Sequence, residues 1–449
     1  MNHQFLPNNE ESRREMLESL GLSSIEELFG CCIPANVRFK GNLNLPKPLS
    51  EMEAKRLLTQ IANVNRPASS MVSFLGGGVA DHYIPSAIDH IVSRSEFYTA
   101  YTPYQAEVSQ GTLQNIFEFQ TLICMLTGMD VANASMYDGA SALAEAVLMA
   151  SSATRQDKIL ISQTVNPQYR ETVQTYARAT GLEIVEIPHK DGQTDLEAME
   201  KEIDDKTAAI AFQSPNFFGI IEDPFPISKL KEKGKKTLLI SVVDPLSLGI
   251  VVPPGDYDCD IVLGEGQPLG NPVSFGGPHL GFFAATDKLI RKMPGRLIGQ
   301  TKDVDGKRGF VMTLQTREQH IRRHRATSNI CTNQALNALA AAAYLNLMGK
   351  KGIQEVAQQC LQKANYLKEK IDNLPGYSIP FNGPIFKEFA VKANRPFAEI
   401  QKVMVEKGFL PGIHLQPYYD GMDDWFLVCV TENRTREEMD RFAAGLEGV

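Results

Sequence analysis

Residues 237–281 begin with TLLISVVDPL, continue from Asp258 as DCDIVLGEGQPLGNP, and end with SFGGPHLG. The apolar run 237–243 lies between a basic turn and Asp244-Pro245, which predicts a buried strand of a parallel sheet. Asp244 would then lie at the carboxyl end of that strand, where open α/β sheets bind ligands. A carboxylate there can pair with a cationic group of a ligand. Asp before Pro is also a common turn former, so the local pattern leaves both interpretations open.

A second predicted strand, residues 260–263, leads into Gly264-Glu265-Gly266-Gln267-Pro268. In pyridoxal-phosphate enzymes of the aspartate-aminotransferase type, the strand with the pyridine-binding Asp is followed by one that leads to a Lys, which forms an imine with the cofactor. No Lys lies between Lys236 and Lys288. Because an imine needs an amine and a carboxamide cannot supply one, this segment predicts a chain that does not anchor such a cofactor.

The composition indicates a globular protein with a large core. The chain has 449 residues, is 43% hydrophobic and has a formal net charge of −8, which argues against general nucleic-acid binding. No apolar run reaches the roughly 18 residues of a membrane helix, and the amino terminus is unlike a signal or transit peptide. We therefore expect a cytoplasmic protein. The 7 cysteines show no C-x-x-C spacing, which favours reduced core thiols over a zinc site. The adjacent Cys31 and Cys32 leave a redox role open beside plain packing.

Residues 10–65 are expected to form a helical arm with little core of its own. Ser50 and Glu53 fit a capping box at the start of the predicted helix 50–64. An arm of this kind would wrap the main domain or a partner subunit.

Predicted strands alternate with predicted helices between residues 158 and 243. The strands are residues 158–163, 182–188, 207–213 and 237–243, and the helices between them are residues 167–180, 195–203 and 226–233. This spacing indicates βαβ units and a mostly parallel sheet with right-handed crossovers. Earlier in the chain, Thr112 is predicted to cap a helix that stops at Gly128. Residues 138–141 open an Ala-rich helix, whose N-terminus is either an anion site or an ordinary capped start.

Two polar segments are candidate walls of a site. The first, FYTAYTPYQAEVSQG at 97–111, is crowded with tyrosines and acidic or amide groups, which suits a site, a subunit interface or inert packing. The second, residues 314–332, contains four Arg and two His. These groups could bind a phosphate, a carboxylate or an acidic partner, or they could form a solvated face.

Residues 333–449 are predicted to form a smaller α/β domain. Helices are expected up to Met348 and at 353–374, 398–407 and 436–446, and strands are expected at 387–391 and 425–431.

Four segments together resemble the P-protein of the glycine cleavage system. They are YTPYQAEVSQGTLQ at 101–114, YDGASALAEA at 137–146, GEGQPLGNPVSFGGPHLG at 264–281 and TREQHIRRHRATSNICT at 316–332. The likeness covers essentially the whole chain and is greatest to subunit 1 of the two-subunit form of that family.

The resemblance implies the α/β fold of pyridoxal-phosphate-dependent transferases of the aspartate-aminotransferase type (fold type I), with a mostly parallel central sheet and a smaller C-terminal α/β domain. We expect an arm at residues 1–65, a large domain at 66–325 and a small domain at 326–449. The resemblance also implies an α2β2 assembly in which P-protein subunit 2 holds pyridoxal phosphate on its own Lys, whereas Gln267 stands at that position here. Asp244 and the turn at 138–141 match the pyridine and phosphate positions of the parent fold, but no cofactor role is transferred to them.

The implied reaction is decarboxylation of glycine on the partner's cofactor, followed by transfer of the aminomethyl group to the lipoyl group of H-protein. Active sites of this fold form at subunit interfaces. We therefore expect one set of residues to line the partner's site or its mouth: Tyr101, Tyr104, Glu107, Gln110, Arg317, His320, Arg322, Thr327, Ser328 and Asn329. Neither a metal, nor nucleic acid, nor a membrane is expected as a partner.

Two alternatives stay open. The chain could be a purely structural subunit that stabilises its partner without touching substrate. It could also be a stand-alone pyridoxal enzyme with a relocated lysine, for which Lys288 and Lys292 are the candidates.

Overall fold

The computed structural model describes residues 5, 8–326, 328–330 and 332–449. The chain divides into two compact units, Met1–Arg66 and Pro67–Val449. The first unit contains the helices Glu10–Ser19, Ile25–Cys32 and Glu51–Ala62. The predicted capping box is confirmed, because the side chains of Ser50 and Glu53 each accept a hydrogen bond from the other's backbone amide. These three helices bury none of their residues, so the unit has little core of its own.

Seven strands of the described chain form the central sheet of the second unit. In chain order they are β1 Val131–Ala132, β2 Lys158–Ser162, β3 Glu183–Ile187, β4 Thr207–Gln213, β5 Leu238–Val242, β6 Ile261–Glu265 and β7 Gly281–Ala285. Their order across the sheet is β1-β7-β6-β5-β4-β2-β3. All pairings among β2 to β6 are parallel, whereas β7 runs antiparallel to both β6 and β1. The predicted mostly parallel sheet is therefore confirmed.

The strands are apolar at successive positions because both faces of the sheet are covered. Leu239 of β5 and Val262 of β6 pack into one hydrophobic cluster, whereas their neighbours Ile240 and Leu263 pack into the cluster on the other face. The first face is covered by Gln110–Thr127, Leu196–Glu202, Pro224–Leu230 and the start of Ala335–Asp372, and the second by Gly139–Thr154 and Pro167–Arg178. This burial on both faces explains why the strands do not alternate between apolar and polar residues.

A smaller antiparallel sheet follows near the C-terminus. Its strands, in sheet order, are Tyr377–Ser378, Glu388–Ala393, Trp425–Cys429 and Ile413–His414, and its helices are Phe397–Glu406 and Arg436–Glu447. The helix Ala335–Asp372 packs on the central sheet through its first half and on this small sheet through its second half. The predicted break between two helices is confirmed, because the helical segment Ala335–Asp372 is interrupted at Gly349, where φ is 59° and ψ is −177°. The predicted domain division at residue 326 stays a prediction.

Shorter elements complete the second unit. Val72–Ser73 pairs in parallel with Phe409–Leu410, Leu297–Lys302 forms a hairpin with Arg308–Thr313, and His189–Lys190 pairs with Gln193–Thr194. The remaining short helices are Ser86–Val92, Ser95–Tyr98 and Gln319–Arg322. Among the residues that the structure describes, no helix combines the length and apolar character needed to cross a membrane.

Gly219 lies where the loop after β4 meets the small sheet. Its carbonyl accepts a hydrogen bond from the Phe386 amide at 3.1 Å. Its φ is +87°, and an added Cβ would overlap the backbone carbonyl of Glu388. A residue with a side chain is therefore excluded by both conformation and space.

We predict that Gly219→Ala lowers the free energy of unfolding by about 3 kcal/mol, from left-handed strain together with steric overlap. Gly181→Ala is the matched control, because Gly181 also has a positive φ of +73° but has open space at its Cβ position. Strain alone should cost this control about 1 kcal/mol. Chemical denaturation measures both variants, and equal losses would contradict the role assigned to the Glu388 contact.

Candidate functional site

A cavity lies at the carboxyl ends of four parallel strands of the central sheet. Asn166 follows β2, Gln213 ends β4, Asp244 follows β5 and Glu265 ends β6, and all four line the cavity. Its volume is about 40 Å³, which leaves room for water but is far below the roughly 300 Å³ of the smaller ligand pockets. Asp244 therefore lies at the ligand-side edge predicted from its strand. We call this region the cleft.

The carboxylate of Asp244 is already paired with an ammonium group of the same chain. Lys387 Nζ lies 2.6 Å from Asp244 Oδ2, and the Lys387 side chain is only 6% exposed. Burial raises the pKa of Asp244, but attraction to Lys387 outweighs burial and leaves this pKa below its ordinary value. Burial likewise opposes the charge of Lys387, yet the nearby Asp244 carboxylate raises the pKa of Lys387 above its ordinary value. Both groups are therefore charged at neutral pH, and Asp244 is not free to neutralise a ligand's cation.

A buried chain of hydrogen bonds continues from Lys387. Lys387 Nζ lies 3.0 Å from His82 Nε2, and His82 Nδ1 lies 2.9 Å from Glu432 Oε2. Because an ammonium group only donates, Nε2 accepts and Nδ1 donates to Glu432. Cys360 Sγ also donates to Glu432 Oε2 at 3.2 Å. His82, Cys360 and Glu432 bring possible metal ligands within 4.8 Å of one another, but the ammonium groups of Lys387 and Lys363 next to them disfavour a divalent cation.

Two interpretations were open for the start of the helix Gly139–Thr154, and the structure shows the ordinary capped start, in which Asp138 and Ser141 form a capping box. Glu265 Oε2 accepts a hydrogen bond from the Gly139 amide at 3.1 Å, and Asp138 Oδ1 accepts one from the Ser141 amide at 2.7 Å. Glu265 Oε1 accepts from two further backbone amides at 3.0 Å. Burial raises the pKa of Glu265 to about 8, although the amide donors oppose this shift. An incoming phosphate would have to displace this carboxyl group from the helix N-terminus.

Gln267 lies beside the cleft, between the lining residues Glu265 and Pro268, and is 1% exposed. Its Oε1 accepts a hydrogen bond from the Ala80 amide at 3.1 Å, and its Nε2 donates to the Asn271 carbonyl at 2.7 Å. Both ends of the carboxamide are thus hydrogen-bonded to backbone. The side chain braces the surrounding loops and offers no nucleophile.

Two of the predicted site residues meet around an ion pair elsewhere in the second unit. Arg296 lies 3.8 Å from Glu318 and donates a hydrogen bond to the Tyr104 hydroxyl at 3.2 Å. His320 Nδ1 lies 3.5 Å from Glu318, and its ring packs edge-on to Tyr104 with 6.2 Å between ring centroids. The structure therefore brings Tyr104 and His320 together, although they come from different predicted segments.

Tyr101 and Glu107 point outward from the same loop region. Tyr101 is 80% exposed and lines a groove of about 280 Å³ together with residues at the start of the helix Ala335–Asp372. Glu107 is exposed and forms no ion pair or hydrogen bond with the described residues. No hydrogen bond or ion pair with the described residues involves either side chain, and both are exposed, so both are accessible to another molecule.

Two further candidates are tied to backbone groups. The Gln110 carboxamide bonds both the amide and the carbonyl of Phe310, each at 2.8 Å. The helix begins at Gln110, and Ser109 is its N-cap. The predicted cap at Thr112 is therefore wrong. The first helical turn starts earlier, at the residue whose side chain bonds Phe310 of the hairpin strand Arg308–Thr313. The Arg317 guanidinium donates to the carbonyls of Met293, Leu314 and Gly295.

The remaining candidates line a larger opening of about 870 Å³, which we call the basic groove. Arg322, Ser328 and Asn329 lie on its wall, and Glu145 is part of its lining. Thr327 lies outside the described residues. None of the nine described candidates lines the cleft, so they are gathered at other surfaces of the second unit.

Sequence reasoning missed the residues that fill the cleft. Lys387 and Glu388 line it, and their signal was a charged pair at the start of an otherwise apolar strand, since buried charges need partners. Lys288 and Lys292, the predicted relocated lysines, are both exposed and do not line the cleft. The lysine that lines the cleft is Lys387, whose ammonium group forms an ion pair with Asp244.

Comparison with known proteins identifies relatives over the full chain. The family model for glycine cleavage system P-protein matches residues 3–446. Proteins from Moorella thermoacetica and Carboxydothermus hydrogenoformans are 53% identical over 445 residues and 55% identical over 444 residues, and each match covers 99% of both chains. Both relatives are named "Probable glycine dehydrogenase (decarboxylating) subunit 1".

Solved structures confirm the predicted fold of pyridoxal-phosphate-dependent transferases. A crystal structure of glycine decarboxylase (P-protein) in inhibitor-bound form matches with a TM-score of 0.90 and 40% identity, and the match covers 100% of both chains. Glutamate decarboxylase from Lactobacillus brevis matches with a TM-score of 0.67 at 13% identity, which shows a shared fold alone.

We predict that Lys387→Met lowers the free energy of unfolding by about 3 kcal/mol, because it leaves the Asp244 carboxylate, whose side chain is 17% exposed, without its cation. The double variant Asp244→Asn, Lys387→Met should recover much of this loss. Lys392→Met is the matched control on the same strand, since Lys392 is exposed, and it should cost no more than about 0.5 kcal/mol. Denaturant titration measures all three, and additive losses in the double variant would rule out the pairing.

The deficit of Lys387→Met should also depend on pH. The ordinary pKa of Asp244 is 3.8 and is lowered in the fold, so the pair's contribution is present above that pH and is lost as pH falls through the lower, folded value. The ordinary pKa of Lys387 is 10.5 and is raised in the fold, so the contribution persists until pH rises through that higher value. In Lys387→Met the cation no longer opposes burial, so the pKa of Asp244 is higher than in the wild type and its carboxylate is neutralised as pH falls. The gap between the variant and the wild type should therefore be widest at neutral to mildly alkaline pH and narrow as pH falls toward 3.8.

Proposed function

This chain belongs to the glycine cleavage system P-protein family, and we propose that it is the subunit of glycine dehydrogenase (decarboxylating) that does not anchor the cofactor. P-protein subunit 2 holds pyridoxal phosphate, and the two chains assemble as α2β2. Together they decarboxylate glycine and transfer the aminomethyl group to the lipoyl group of H-protein. We also propose a cytoplasmic location, as expected from the sequence.

The observation that carries this proposal is the poor fit of the cleft to pyridoxal phosphate. The cofactor needs a lysine amine, a carboxylate for its ring nitrogen and an anion site for its phosphate. The resemblance places Gln267 at the lysine position, beside the cleft, and inside the cleft Asp244 is paired with Lys387 and the Glu265 carboxyl group bonds the helix N-terminus. A volume of about 40 Å³ remains. We therefore assign the cofactor and the bond-breaking chemistry to the partner subunit.

The first unit supports a role within an assembly. Its three helices bury no residue, and apolar side chains such as Leu58 and Ile61 are 66% and 57% exposed. A segment without a core is stabilised when its apolar face packs on another surface. We assign that surface to the partner subunit.

Residues from two segments are assigned to the partner's site and its mouth. Tyr101, Tyr104, Glu107 and Gln110 form the first group, and Arg317, His320, Arg322, Thr327, Ser328 and Asn329 form the second. Tyr101 and Glu107 are free to contact a partner, whereas Gln110 and Arg317 hold backbone segments in place. The first pair would contact the partner's site, and the second pair would position the segments around it.

The alternative is a structural subunit without site contacts. The coreless first unit is compatible with that role as well. The two functions differ in one respect: only the site role requires the polar atoms of the exposed tyrosines.

We predict that Tyr101→Phe together with Tyr104→Phe lowers glycine–carbon dioxide exchange by the reconstituted pair at least about tenfold. This is the rate effect of losing about 1.4 kcal/mol of transition-state stabilisation, the scale of one hydrogen bond. Tyr98→Phe is the matched control, since Tyr98 is 67% exposed in the same loop region but is not assigned to the site. Light scattering checks that every variant pair assembles. Full activity of the double variant in an intact assembly would favour the structural subunit.

A further inference from the structure

The basic groove concentrates positive charge in a chain that is negative overall. Its lining contains six Lys and Arg against one acidic residue, Glu145, while the whole chain has a net charge of −8. The groove therefore creates a local positive potential that attracts anionic surfaces against the sign of the net charge.

Several elements deliver these cations to the same opening. The 3-10 helix Asp287–Lys292 contributes Arg291 and Lys292, and the 3-10 helix Arg323–Arg325 contributes the two arginines at its ends. The floor is formed by residues of the helices Gly139–Thr154 and Pro167–Arg178. Because separate elements converge here, the charge belongs to the folded surface and not only to one basic run of sequence.

Four exposed cations of the groove form no ion pair with the part of the chain that the structure describes. Among the described residues, no ion pair involves Arg291, Lys292, Arg323 or Arg325. The acidic residue in the lining, Glu145, is 2% exposed, and burial raises its pKa to about 7. The groove therefore keeps an uncompensated positive charge near neutral pH.

The shape of the groove favours a protein surface over a small anion. Small-anion sites hold their ligand with buried, convergent donors. Here Arg291, Lys292, Arg323 and Arg325 are all exposed around an opening of about 870 Å³. Exposed charges of this kind accelerate encounter with an oppositely charged partner and allow it to leave again.

We propose that the basic groove is the docking surface for an acidic face of the lipoyl-bearing carrier protein. This inference rests on the proposed function, in which a carrier must arrive with its oxidised lipoyl arm and depart loaded in every turnover. Docking on this chain would bring the arm to an assembly whose cofactor is held by the partner, and it gives this subunit a binding task in the catalytic cycle.

The test uses the reconstituted two-subunit assembly with H-protein as the probe. One variant carries Arg323→Glu and Arg325→Glu, and a second carries Arg291→Ala and Lys292→Ala, so that the two elements are tested separately. The matched control is Lys302→Glu with Lys307→Glu, because these exposed lysines lie on the neighbouring hairpin outside the groove. It makes the same charge change as the first variant.

At low ionic strength we expect the KM for H-protein to rise about tenfold or more in the charge-reversal variant and by a smaller factor in the alanine variant. The kcat at saturating H-protein and the KM for glycine should stay at wild-type values, and the control should match the wild type. The difference should shrink as added salt shortens the screening length.

Three results would overturn the proposal. One is an unchanged KM for H-protein in both variants, and another is an equal rise in the control. The third is loss of subunit assembly in light scattering, which would assign the groove to the partner interface. If the wild-type assembly shows no exchange activity, the proposed function fails instead. Direct binding of H-protein to the immobilised assembly then decides the docking proposal, which requires both groove variants to bind more weakly than the control.

Discussion

The ion pair between Asp244 and Lys387 is the interaction on which the interior of this protein depends. It joins the end of β5 to the residue that directly precedes the strand Glu388–Ala393 of the small sheet. Because the pair is largely shielded from solvent, removing one charge leaves the other without a partner and lowers the stability of the fold. Once Lys387 neutralises Asp244, a cationic ligand gains little by entering. The helix N-terminus is filled by Glu265 in the same way. The chain therefore has the fold of pyridoxal-phosphate enzymes, and in its cleft its own side chains are bonded to one another.

Because side chains of this chain occupy the cleft, we infer that the chain acts through its surfaces. The tyrosine loop and the first unit expose large apolar or aromatic side chains, and among the described residues no ion pair involves Arg291, Lys292, Arg323 or Arg325 of the basic groove. Apolar faces, exposed hydroxyls and uncompensated charge attract different kinds of partner. Under the proposed function, these surfaces would position other molecules.

Much of the fold could be predicted from local sequence pattern. The run 237–243 is apolar at nearly every position because β5 is covered on both faces, and its alternation with helix signals gives the parallel sheet. The position of Asp244 followed directly from that strand. Its partner did not, because Lys387 is distant in sequence and meets Asp244 only through the packing of the small sheet. The sequence also could not predict that Glu265 bonds the N-terminus of the helix Gly139–Thr154, because the direction of the Glu265 side chain depends on the pairing of β6 with β7.

The central claim is that this chain cannot hold pyridoxal phosphate because its own charges occupy the cleft. The most direct measurement is borohydride reduction of the reconstituted assembly with pyridoxal phosphate, followed by intact-mass analysis of each chain. We expect one reduced cofactor on each copy of the partner subunit and none on this chain. Stoichiometric cofactor on this chain, mapped to Lys387 or another lysine, would contradict the account.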